Sequence, residues 1–125
     1  MSYLEISQFD KDDIDDVQNN DEGHQFFDYW EYSDWQEEVQ TWHNVEGHAE
    51  LLNEFFGMNP GEEMDYYILD KEKLEGLISL FDNHNWDDDL PSYISKNKFI
   101  LEELNKRLAD FDFDGEQHLV ISWDW

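Results

Sequence analysis

The sequence predicts one α+β domain over residues 1–125, with a three- or four-stranded, mainly antiparallel sheet packed with about four helices. Three observations predict it. At 125 residues the chain has the length of one domain. Short segments rich in β-branched and aromatic residues alternate with segments whose apolar residues recur at helical spacing. The strand-like segments are separated by pairs of helix-like ones, an order that suits helices packed on a small sheet.

Taken in order, residues 2–9 (SYLEISQF) carry β-branched and aromatic residues and read as a strand. Residues 10–20 (DKDDIDDVQNN) read as a short helix capped by Asp10, with Asp12 and Asp13 at the positive end of its dipole, or as an acidic loop. Residues 25–32 (QFFDYWEY) are dense in aromatics and read as a strand. Ser33 and Gln36 make a capping box, and Trp35, Val39 and Trp42 follow at i, i+4 and i+7, which predicts a helix over 34–44.

A second helix is expected over 47–56, with Leu51, Leu52, Phe55 and Phe56 as its apolar residues, Gly57 just past its end and Pro60 beyond. Residues 64–69 (MDYYIL) read as a strand. Asp70 then caps a helix over 71–82 that presents Leu74, Leu77, Ile78 and Phe81 on one face. A loop, HNWDDDLP, leads to a helix over 92–109, with Ile94, Leu101, Leu104 and Leu108 directed inward and Phe99 and Ile100 near them. Residues 110–115 (DFDFDG) read as a strand end entering a turn at Asp114-Gly115. HLVISW (118–123) is the best strand in the chain.

The charge is far from ordinary. Thirty-three Asp and Glu oppose seven Lys and Arg, for a formal net charge of −26. Such a balance, with a mean hydropathy of −0.87, is found in disordered acidic chains. Aromatic residues at 17% argue against disorder, because each large ring that is buried removes roughly 150–250 Å² from water. Adaptation to high salt would also give an acidic, Lys-poor chain, but the wealth of large aromatics and the presence of only two Ala argue against it. The single Arg and the many Asn match an AT-rich source, as in phages and mobile elements.

Several functions are thereby disfavoured. Direct binding to nucleic acid needs clustered Lys and Arg. Docking on an anionic membrane needs the same. No apolar run approaches the roughly 18 residues of a membrane span, and the start, MSYLEISQFD, lacks the basic-then-apolar build of a signal peptide, so the expected location is cytoplasmic. There is no Cys to form a disulfide, a thiolate site or a nucleophile. Neither a phosphate-cradling Gly-rich loop nor a Ser nucleophile elbow is present, and no cofactor is implied. The five His are scattered, and His43 and His48 lack the spacing of a zinc-protease helix.

One motif has metal-ligand spacing. Asp110, Asp112 and Asp114 followed by Gly115 match the front half of an EF-hand loop. The back half departs from it: position 12 is Ile121 where a bidentate Glu belongs, and position 8 is Gln117. A β-turn with Phe111 and Phe113 pointing into the core is the favoured reading, and a calcium site the alternative.

The charge itself is the main functional signal. Solubility asks for a net charge of only about 2–8, and any excess strains the fold by self-repulsion. A dense carboxylate surface fits a dense Lys/Arg surface, which is typical of nucleic-acid-binding proteins. The expectation is a non-enzymatic inhibitor that mimics DNA and occupies the basic site of a host defence, nuclease or nucleoid protein. An immunity-type partner of a basic toxin would use the same electrostatics. Spread evenly over roughly 7,000 Å², the carboxylates would be about half as dense as duplex phosphates, so mimicry requires clustering. Residues 1–70 hold twenty acidic residues and one basic, whereas 71–125 hold thirteen and six. The candidate clusters are Asp10, Asp12, Asp13, Asp15, Asp16, Asp21 and Glu22, then Asp34, Glu37 and Glu38, then Asp87, Asp88 and Asp89.

Overall fold

The first and last strands pair antiparallel along their whole length, from Tyr3 opposite Asp124 to Asp10 opposite Gln117. The computed structural model describes residues 2–12, 26–27, 36–57, 66–86 and 91–124. Their elements are β1 (Tyr3–Asp10), β2 (Phe26–Phe27), β3 (Glu37–His43), α1 (Glu46–Phe56), β4 (Tyr66–Leu69), α2 (Lys71–Asn83), α3 (Pro91–Asp110) and β5 (Gln117–Asp124). The sheet runs β2-β4-β5-β1-β3, and every neighbouring pair is antiparallel. Four of the strands have four to eight residues, and β2 adds a two-residue pairing. The architecture is α+β, with three helices among the described residues where the sequence predicts about four.

The core follows from strand alternation. Leu4 and Ile6 on β1 face the same way as Leu119, Ile121 and Trp123 on β5, and all are fully buried. All three helices pack into this one cluster, through Leu52 of α1, Leu74, Leu77 and Phe81 of α2, and Ile100 and Leu104 of α3. Each such side chain contributes about 1.5–3 kcal/mol by leaving water. Ser7, Val120 and Ser122, of opposite parity, are fully buried too, so the middle of the sheet is covered on both faces. That is why HLVISW reads as a continuous run instead of an alternating one.

Local chemistry sets the helix ends. The Asp70 carboxylate accepts the Lys73 N–H at 2.7 Å, as its capping position predicts. Gly57 ends α1 in the left-handed region at φ 71°, where its N–H reaches the main-chain oxygens of Asn53 and Glu54.

The helix predicted over 34–44 is corrected: residues 37–43 form strand β3. It is an edge strand, solvated over much of its surface, so it lacks the alternation that marks a half-buried strand. Val39 and Trp42, three apart, then imitate one turn of helix. Ile94, predicted to point inward from α3, is exposed, as are Phe99 and Phe55. Residues 25–32 were expected to form a strand, and only Phe26–Phe27 among them are described, as β2. The predicted segment 10–20 lies largely outside the described residues, as does most of the loop HNWDDDLP. No helix among the described residues is long and apolar enough to cross a membrane.

Candidate acidic interface

The C-terminal half of α3 lies across the end of the sheet formed by β1, β3 and the start of β5. Arg107 makes this junction. Its guanidinium donates from Nε to Glu103 at 2.8 Å, from Nη1 to the Gln8 side chain at 2.7 Å, and from Nη2 to the Glu38 main-chain oxygen. One buried side chain thus ties α3 to β1 and β3. The Glu103 partner sits four residues earlier on the helix, the spacing at which opposite charges meet.

Glu38 occupies the left-handed region at φ 51°, where a non-glycine residue is uncommon. The β1–β3 register shifts there: Ile6 opposes Gln40, and Gln8 opposes Glu37. One extra residue is accommodated on β3, which is a β-bulge. It turns the Glu38 carbonyl toward Arg107.

Gln117, the first residue of β5, faces the same end. Its amide donates to Asp10 at 3.2 Å and to Glu37 at 2.6 Å. Those two carboxylate oxygens therefore lie no more than about 5.8 Å apart, the two bond lengths end to end. Residues from three separated parts of the chain meet at that amide.

Between α3 and this sheet end runs a groove of about 700 Å³. Six carboxylates line it, those of Glu37, Glu38, Glu103, Asp110, Asp112 and Glu116, against the two cations Lys106 and Arg107. Arg107 is spent on internal bonds. All six carboxylates except Glu103 are exposed. The negative end of the α3 dipole, at Asp110, adds to the same field. The arrangement is an array of anionic acceptors, suited to cationic donors.

The Asp110–Gly115 turn closes one end of the groove. Asp112 Oδ1 accepts the Asp114 N–H at 3.0 Å, and the Gly115 N–H bonds to the Asp112 carbonyl at 3.1 Å. A Cβ on Gly115 would lie 2.9 Å from Asp112 Oδ2 and 3.2 Å from the Asp112 main-chain oxygen, a crowding that favours glycine. The Asp112 side chain thus folds the turn within the motif. Phe111 and Phe113 pack edge to face at 4.9 Å and lean on the core, in agreement with the turn reading. Among the described residues, no three His, Asp or Glu are grouped so as to hold a metal ion.

Of the sequence-predicted partner residues, Asp10, Glu37 and Glu38 come together here. Asp12 is exposed two residues past β1. Asp13, Asp15, Asp16, Asp21, Glu22, Asp34, Asp87, Asp88 and Asp89 lie outside the described residues. Sequence reasoning missed Glu103 and Glu116, and considered Asp110 and Asp112 only for metal. The Glu103–Arg107 spacing was a usable signal, whereas nothing in the sequence marks Gln117 as the meeting point.

The histidines separate. His43 is exposed on β3. His48 is fully buried on α1, stacked on Trp86 at 4.1 Å and bonded through Nε2 to Asn97 Oδ1 at 3.0 Å. This is core architecture, joining α1 to α3.

Comparison with known proteins finds no match. No protein-family model, curated protein or solved structure resembles the chain significantly.

Proposed function

We propose that this protein is a non-enzymatic inhibitor that presents carboxylates in place of nucleic-acid phosphates and occupies the basic nucleic-acid-binding site of a host defence, nuclease or nucleoid protein. The observation that carries the reading is the convergence of Asp10, Glu37, Glu38, Asp110, Asp112 and Glu116 around one end of the sheet. An accessible surface of 7350 Å² gives roughly one carboxylate per 220 Å² if they are spread evenly, about half the phosphate density of a duplex. Local convergence is what raises the density toward that of DNA. The Asp10 and Glu37 oxygens, no more than about 5.8 Å apart, are the closest such pair the hydrogen bonds define.

The setting supports a protein partner. Carboxylates held by a folded scaffold lose less freedom on binding than those of a flexible acidic tail. The partner is a basic nucleic-acid-binding protein, and the source a phage or mobile element acting in the cytoplasm of its host. Direct contact with nucleic acid is disfavoured by like-charge repulsion.

Competition tests the reading. Basic proteins captured from the host on immobilised protein are loaded with labelled duplex DNA or RNA and titrated with this chain. Displacement is expected, and it should weaken steeply as salt rises. If no captured protein releases its nucleic acid, the reading fails.

A further inference from the structure

We propose that the outer edge of β3 is a backbone-pairing site for an extended, basic segment of the partner, one that alternates Lys or Arg with β-branched residues. The proposal rests on the reading above that the partner is basic, and it adds how that partner is gripped.

The strand order leaves β3 at the edge of the sheet, with β1 as its only neighbour among the described residues. The Asn44 N–H bonds to the Ser2 main-chain oxygen at 3.0 Å, which sets the phase of the antiparallel ladder. By alternation the N–H and C=O of Thr41 then point away from β1. Side chains 37–40 are exposed, and Val39 is 43% exposed. At the two ends of the strand the outlying carbonyls are occupied. Lys96 Nζ bonds to the His43 and Asn44 oxygens at 3.0 Å, and Arg107 bonds to that of Glu38. The stretch from Val39 to Trp42 lies between these two fastenings, held in extended form by α3.

Next to it lies a shallow groove of about 380 Å³, formed by Gln40, Trp42, Phe99, Glu102, Glu103 and Lys106. Phe99 is 59% exposed and stands beside Trp42. An added strand would place every second side chain over this groove: the basic set lays its stems along Phe99 and Trp42 and its charges against Glu102 and Glu37, and the β-branched set faces the opposite side of the sheet, beside Thr41. Charge chooses the occupant. A second copy of this chain pairing along β3 would bring together two chains that each carry a net charge of −26. A basic strand meets the opposite field.

The test uses the full-length protein and three forms of a seven-residue peptide that alternates Lys and Val. One form is unmodified, and the other two are N-methylated on one or the other alternate set of backbone amides. Methylation removes donors to the sheet edge and leaves the charge unchanged. The unmodified peptide should bind roughly tenfold tighter than the form methylated on the pairing side, and it should slow hydrogen exchange at the Thr41 amide. Thr41→Pro, which removes an outward N–H and follows an ordinary extended residue, should lower peptide affinity, whereas Thr41→Val, which keeps that N–H, should not. Equal binding of all three peptides would overturn the edge-pairing proposal and leave the basic-partner reading standing. Binding of none, while DNA-binding proteins are still displaced in the competition experiment, would do the same. Failure of both experiments would overturn both. Concentration-dependent dimers whose Thr41 amide is protected would show that the occupant is a second copy, and would also overturn the proposal.

Discussion

Arg107 holds the main-chain oxygen of Glu38, a residue 69 positions earlier that sits in the left-handed region at φ 51°. A buried cation and a β-bulge are thus parts of one joint, and the acidic groove is built around it.

Arg107→Met should be strongly destabilising. It leaves Gln8 and the Glu38 carbonyl without their donor and Glu103 without its counter-charge. Because Glu103 is partly solvated, the expected loss is about 2–3 kcal/mol, below the range for a fully buried pair. Arg107→Lys should recover less than half of it, since one ammonium cannot reach three acceptors fixed for a fork. Urea denaturation measures both, and a change within 0.5 kcal/mol of zero (about experimental error) would contradict the joint.

Glu38→Gly should stabilise the fold. Glycine adopts positive φ freely, so relief of the strain should add about 1 kcal/mol. Glu37→Gly, at a neighbouring position of the same strand, should instead cost roughly 0.5–1 kcal/mol. Opposite signs in parallel melting curves are the expected result. Both changes remove a groove carboxylate, so both should weaken displacement of nucleic acid from the target.

Trp123→Phe isolates a buried polar contact. The indole N–H donates to Asn53 Oδ1 at 2.8 Å inside the core. Phenylalanine keeps most of the ring contact and leaves the Asn53 oxygen without that donor, at a cost of about 1–3 kcal/mol. Trp123→Phe combined with Asn53→Leu should recover part of the loss, which a double-mutant cycle would measure.

The Asp110–Gly115 turn separates two readings of one motif. Since Asp112 already serves the Asp114 N–H, Asp112→Asn should cost under about 0.5 kcal/mol, whereas Gly115→Ala should cost about 1–2 kcal/mol through its clash with Asp112. Millimolar calcium should leave the melting temperature unchanged. A rise of several degrees that Asp112→Asn abolishes would assign a cation site there instead.

Where structure is decided by neighbours in the chain, it was legible in the sequence. Asp70 caps α2 three residues before the N–H it accepts, Gly57 ends α1 in the left-handed region, and Leu74, Leu77 and Phe81 share a face because they are three and four apart. These are short-range effects of dihedral preference and periodicity. The α+β class and the net charge were equally plain. The tertiary structure decided the rest. Whether Val39 and Trp42 lie on a helix or a strand depends on the pairing of their segment with β1, where Gln40 opposes Ile6 and Trp42 opposes Leu4, and an edge strand carries too little burial to mark its own period. Ile94 and Phe99 fit a helix repeat yet stay outside, because only one stripe of α3 meets the sheet. That Asp10 and Glu37 share the amide of Gln117 depends on strand order, which brings together residues 80 or more positions apart. Composition specified how much charge the chain carries, and long-range pairing placed those carboxylates side by side.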